Sequence, residues 1–86
     1  MQFEYDDTKS ESNKQKHGID FEIAQAIWDD EAYIRIPSSF LDEPRFVCIG
    51  LIEGRHYSAV VIYRGENIRI ISVRRARKEE VELYEG

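Results

Sequence analysis

The sequence predicts a segregated α+β fold: two helices, then a four-stranded, mostly antiparallel sheet, then one short helix. Three observations carry this. Residues 8–29 hold two runs with helix-start and helix-stop chemistry. Residues 33–74 hold four β-rich runs, and the last three are joined through Gly54-Arg55 and Gly65-Glu66. Such short glycine-bearing loops make antiparallel neighbours. Residues 76–85 return to helix-favouring composition. Helices on either side of a run of strands, rather than alternating with them, indicate α+β. At 86 residues the chain fits a single domain, 1–86.

Phe3 and Tyr5 alternate with polar neighbours, a pattern that allows a short N-terminal edge strand. Thr8 and Glu11 fit a capping box, and Gly18 supplies a left-handed stop, so residues 8–17 form the first helix. No apolar residue occurs between Asp6 and Gly18, which is unusual for a helix that must pack. Lys9, Asn13 and Lys16 line one stripe of it instead. Asp20 caps a second helix whose Phe21, Ala24, Ile27 and Trp28 repeat at helical spacing and face the core. Residues 33–36 make a strand that stops at Pro37. Residues 45–52 are apolar on both faces, the mark of a central strand covered twice. Residues 57–64 and 67–74 complete a meander with type II′ turns. Residues 76–85 are too short to be helical alone, so they dock on the sheet, with Val81, Leu83 and Tyr84 as anchors.

Composition narrows the function. A single cysteine, Cys48, forbids an internal disulfide and a Cys-rich zinc site, and fits a reducing cytoplasm. The acidic N-terminus is not a signal peptide, and no apolar run is long enough to span a membrane. The net charge is −5, but it is uneven. Residues 1–43 carry 11 acids and 4 bases, whereas residues 44–86 carry 6 acids and 8 bases. Any nucleic-acid site is therefore a local cationic patch rather than a global field.

Three groups of residues can carry chemistry. Arg74, Arg75, Arg77 and Lys78 crowd the junction of the last strand and last helix. Guanidinium forks beside a free helix start make a phosphate cradle; alternatively they are a solvated charge run paired with Glu79, Glu80 and Glu82. Lys9, Asn13, Lys16 and His17 form the second group, supplying amines and a possible acid–base imidazole; alternatively His17 only terminates its helix. Tyr5, Tyr57, Tyr63 and Tyr84 form the third, able to stack on bases or simply to pack. His56 lies beside a turn and reads as surface; Cys48 reads as a buried small hydrophobe. No phosphate loop, nucleophile elbow or metal-ligand spacing occurs, and no cofactor is expected.

At this point the motifs resemble a known family. Phe3-x-Tyr5-Asp6-x-x-Lys9, Asn13-x-x-Lys16-His17-Gly18-Ile19-x-Phe21, Glu43-x-Arg45-Phe46 and Arg69-Ile70-Ile71-Ser72-x-Arg74-Arg75-Ala76, followed by Glu80 and Tyr84, are similar to the BrnT toxins. Tyr5 stands where that family commonly has tryptophan. The resemblance implies a RelE-like fold and metal-independent RNA cleavage in a bacterial cytoplasm. It also implies a hetero-oligomer with a cognate antitoxin of ribbon-helix-helix type, through which alone operator DNA is bound. The expected catalytic residues are Lys16, His17, Arg69, Arg74 and Tyr84; the expected RNA contacts are Tyr5, Lys9, Asn13, Arg75, Arg77 and Lys78.

Two expectations follow for the structure. The strand-end cations and the amine–imidazole stripe must converge on one phosphate-sized pocket. Simple alternation puts Arg69 and Arg74 on opposite faces of their strand, so they share a site only if a bulge or bend intervenes. Two rival readings use the same residues. One is a catalytically silent module that binds its antitoxin and tunes repression; the other is an α+β interaction module that accepts a partner strand at its sheet edge.

Overall fold

The structure, a computed structural model, describes residues 2–38 and 44–86. Glu43, part of one family-like motif, lies outside the described residues. The elements run β1 (Gln2–Glu4), α1 (Asp7–His17), α2 (Phe21–Ala24) continued as a 3-10 helix (Gln25–Asp29), β2 (Ile34–Ser38), β3 (Arg45–Ile52), β4 (Arg55–Arg64), β5 (Asn67–Arg75) and α3 (Lys78–Glu85). The strands form one sheet in the order β1-β5-β4-β3-β2. The α+β layout is as expected, but the N-terminal segment joins as a full fifth strand, parallel to β5, with Phe3 opposite Ile68.

Helix α1 starts one residue earlier than expected, and its cap is Asp6, not Thr8: Asp6 Oδ1 accepts from the Thr8 and Lys9 amides at 2.8 and 3.1 Å. Its docking explains the missing apolar stripe. Ser10 and Asn13 are its buried residues, and both are hydrogen-bonded inward. The Ser10 hydroxyl accepts from Phe21 N, while Asn13 Nδ2 donates to the carbonyls of Ile19 and Val73, each at 2.8 Å. Asn13 Oδ1 accepts from Val73 N. One polar side chain thus ties α1 to both the α1–α2 turn and β5.

The α1 and α2 layer covers one face of the sheet, called here the helix face. Phe21, Ala24 and Ile27 pack there on Cys48, Ile52, Ala59, Val61, Ile68, Ile70 and Val73. Burying such side chains contributes about 1.5–3 kcal/mol each. The opposite, open face carries Ile49, Leu51, His56, Ser58, Val60 and Ile62, and α3 lies over one end of it. The first hairpin turn is Glu53-Gly54, with φ of 50° and 79°. Two positive values make it type I′, not the type II′ expected from Gly54-Arg55. The second, Gly65-Glu66, has its positive φ of 60° at Gly65, as type II′ requires.

Of the expected anchors of α3, Tyr84 holds it, chiefly through its hydroxyl, Val81 is only half-buried and Leu83 faces solvent. No residue of α3 is buried, and Leu83 is 57% exposed. Polar contacts hold it instead, as described below.

Candidate functional site

A β-bulge decides which side chains meet. From Arg64↔Asn67 to Val61↔Ile70 the β4–β5 register is regular, and it then shifts so that Val60 faces Ser72 and Ser58 faces Arg74. Ile71 is the extra residue. The shift reverses the alternation of everything after it. Arg69, opposite Ile62, and Arg74, opposite Ser58, therefore lie on the same open face. They are separated by roughly 13 Å of strand. Arg69 sits 3.9 Å from Glu4 at the β1 side.

Around Arg74 the open face holds a connected polar cluster. Arg74 donates through both forks to Glu80, Nη1 to Oε1 at 2.7 Å and Nη2 to Oε2 at 2.9 Å. Ser58, 1% exposed, donates to the same Oε1 at 2.9 Å, and the Arg77 backbone N–H does so at 2.8 Å. The Arg74 fork, with the other donors, holds the Glu80 carboxyl well below its usual range, at about 2. One strand position on, His56 Nε2 meets Glu85 Oε2 at 2.6 Å, and its ring stacks edge-on against Tyr84 at 5.1 Å. Tyr84 donates to Asp30 Oδ2 at 2.7 Å; this bond, ahead of burial, pushes its hydroxyl up to about 12. Tyr84 is therefore protonated at neutral pH, with its proton directed at Asp30. Asp30 also accepts from the Leu51 and Ala32 amides.

The Glu80 shift has a pH consequence. A carboxyl with a depressed folded-state value contributes stability above its unfolded value and loses it as pH falls through the folded one. Acid titration of thermal stability should therefore show a loss between pH of about 4.5 and about 2. Glu80→Gln should be less stable than the native chain near neutrality and should lack that component; an unchanged acid profile in the variant contradicts the assignment.

The other expected residues are placed elsewhere, and this corrects the single-pocket expectation. Helix α1 lies on the helix face, so Lys9, Lys16 and His17, all exposed, are across the sheet from Arg74. Helix ends and strand faces set this: Asn13 is bonded to Val73, whose side chain points opposite to that of Arg74. Asn13 is itself buried, with both amide protons used inside the fold, so it is a clamp rather than an RNA contact. Tyr5 packs edge-on to Phe21 at 5.7 Å as part of the core margin. Arg75 faces the helix side, its guanidinium 5.7 Å from the Tyr57 ring. Tyr57 lines a groove of about 420 Å³ with Gly18, Ile19 and Arg55 beside the end of α1. Arg77 and Lys78 are exposed at the start of α3.

Five residues of the cluster were not singled out from the sequence as site residues: Asp30, His56, Ser58, Glu80 and Glu85. His56 and Ser58 share a face by simple alternation from the hairpin turn, a signal that was available. Ser58 opposite Arg74 was not, because it depends on the bulge. Cys48 is buried, as read; burial pushes its thiol up to about 11. Among the described residues, no group of three His, Cys, Asp or Glu side chains is placed to hold a metal ion, and no helix is long and apolar enough to cross a membrane.

No curated protein matches the chain. A family model described as the ribonuclease toxin BrnT of type II toxin–antitoxin systems matches residues 5–80, which include the bulge, Arg74 and Glu80. The chain belongs to the BrnT family of ribonuclease toxins of type II toxin–antitoxin systems.

Proposed function

We propose that the chain is a metal-independent endoribonuclease whose centre is the open-face cluster beneath α3. The observation that carries this is the convergence there of Arg74, Ser58, His56 and Tyr84, with Arg69 turned to the same face by the bulge. Each supplies a part that RNA transesterification needs. The ribose 2′-hydroxyl attacks the adjacent phosphorus, the 5′-oxygen leaves, and a 2′,3′-cyclic phosphate and a 5′-hydroxyl result. Arg74 fits the phosphate by its fork and stabilises the charge that grows on its oxygens. His56 exchanges protons through its imidazole once Nε2 is released from Glu85. Tyr84, its hydroxyl proton held by Asp30, shapes the cleft wall beside the His56 ring. Arg69 engages the next phosphate along, while Arg77 and Lys78 draw in the backbone from the rim. On the helix face Arg75, Lys9, Lys16 and His17 extend the cationic surface rather than perform the chemistry.

The wider setting we propose follows the family: in a bacterial cytoplasm this RelE-like toxin is neutralised in a hetero-oligomer by a cognate antitoxin of ribbon-helix-helix type, through which alone operator DNA is bound. The acidic first half, 11 acids against 4 bases, favours a second reading in which the chain only binds its antitoxin and tunes repression. Cleavage of bulk RNA by the purified chain in EDTA decides between them. Full cleavage in EDTA is expected, with His56→Ala reduced about 100-fold or more and His17→Ala within about twofold of native. Equal loss in both variants would return the chemistry to α1, and no cleavage by the native chain would favour the silent module.

A further inference from the structure

We infer that α3 is a latch that keeps the proposed phosphate subsite closed, with the Glu80 carboxylate occupying the place of an RNA phosphate. This rests on the reading of the open-face cluster as the RNA site. Two independent features support it. The first is the geometry at Glu80. Its Oε1 sits at the focus of Arg74 Nη1, the Ser58 hydroxyl and the Arg77 amide, at 2.7–2.9 Å, while Oε2 takes the other arm of the fork. Ser58 is nine-tenths or more buried and spends its proton on this one oxygen. The Arg77 amide bond is the capping box of α3 itself, but the bidentate guanidinium and the Ser58 hydroxyl come from the sheet, and they are a donor set that a phosphodiester's two non-bridging oxygens would take. In the closed chain those donors are all in use.

The second feature is how α3 is attached. It has eight residues, none buried. A helix of that length does not persist in water unless docked. Among the described residues its attachments are the Glu80 contacts, Tyr84 to Asp30 and His56 to Glu85, all of them polar, with half-buried Val81 and Tyr84 adding apolar contact. Polar docking of an unburied helix places it at the low-stability end of the fold, where local opening is easiest. Lifting α3 withdraws Glu80, Tyr84 and Glu85 together, so the groups left to meet the phosphate are Arg74, Ser58 and His56. That frees Arg74, Ser58 and His56 at one stroke and removes two negative charges from the path of the RNA. The phosphate and the carboxylate carry one charge each, so the exchange is driven by the remaining contacts of the polyanion with Arg69, Arg77 and Lys78 and by counterion release.

The test uses the full chain and a 2′-O-methyl oligoribonucleotide, which binds without being cut, read by fluorescence anisotropy. Glu80→Gln should bind it about fivefold or more tightly than the native chain, because the competent fraction rises. Glu82→Gln, an exposed acid of the same helix, measures the plain effect of losing one charge, and its gain should be much smaller. The double variant Glu80→Gln with Arg74→Ala should bind no tighter than Arg74→Ala alone. If Glu80→Gln is poorly folded, Asp30→Asn serves: it loosens the far end of α3 without touching the cradle, and should speed hydrogen exchange of the α3 amides and tighten RNA binding together. The latch is refuted if Glu80→Gln gains no more than Glu82→Gln, or if Asp30→Asn opens α3 with no change in affinity. Failure of the site itself looks different: Arg74→Ala would then cleave RNA as well as the native chain. Loss of cleavage in Arg74→Ala with no gain in Glu80→Gln overturns the latch alone.

Discussion

Asn13→Ala should be the most destabilising single substitution of a polar residue in this chain, at about 3 kcal/mol or more. Its amide makes three bonds inside the fold, to Ile19 O, Val73 O and Val73 N. Each buried polar group left without a partner costs about 1–3 kcal/mol, and alanine strands all three at a site too enclosed for free hydration, Asn13 being 7% exposed. The total matters because a domain of this size is stable by roughly 5–10 kcal/mol. Helix α1 has no apolar face to fall back on, so its attachment to β5 depends on this residue and on Ser10. Urea denaturation checks it: the midpoint should fall with an unchanged slope. Asn13→Asp separates the hydrogen-bond account from simple volume. It is isosteric but sets a carboxylate against two carbonyl oxygens, so it should cost at least as much as alanine. A mild Asn13→Asp would contradict the clamp.

Arg74→Ala should have the largest effect on cleavage, a loss of about 10²–10³-fold, the range seen when one charge-stabilising donor is removed from a reaction centre. It should also destabilise the fold by about 2 kcal/mol. Removing one partner of a fully buried pair costs more, but Arg74 and Glu80 keep 25% and 17% of their side-chain surface in water, which screens the pair. Arg74→Lys distinguishes the two roles. Lysine keeps the charge but not the fork, so it should recover most of the stability and only a small part of the rate. Rates are compared below the melting temperature of each variant, with single-turnover cleavage of one defined RNA as the readout. Cleavage by Arg74→Ala within threefold of native would remove the open face from consideration as the reaction centre.

Much of the architecture was legible in the sequence because turn and cap chemistry is local. Asp20 caps α2 through Ile23 N as its position implied, and the three long strands fall where the β-rich runs are. The polar stripe of α1 was visible as an anomaly, but its purpose was not. Lys9 and Lys16 point to solvent while Asn13, in the same stripe, points in, because only Asn13 is short enough to bond backbone on both sides. The pairing of Arg74 with Glu80 was read as one of several surface charge contacts. Its strength depends on Ser58 arriving opposite Arg74, and that depends on where Ile71 is shed from the ladder. No local signal in Arg69-Ile70-Ile71-Ser72 marks the bulge; it is chosen by long-range packing of Val73 and Ile70 into one core. His56 was judged from its neighbours in sequence, as a turn residue, whereas its surroundings come from α3, nearly thirty residues later.

The parallel pairing of β1 with β5 sets the order in which this protein can be completed. Both anchors of the amino-terminal segment, Phe3 beside Ile68 and Asn13 on Val73, wait for the last strand, the second of them across 60 residues. During synthesis the early segment leaves the ribosome with nowhere to dock, and the β3–β4–β5 meander, whose contacts are close in sequence, can form before it is recruited. Closure of the sheet and construction of the cleft under α3 are therefore late events in the life of each nascent chain. A destructive activity whose residues come from β4, β5 and α3 is withheld until the ribosome has released those elements.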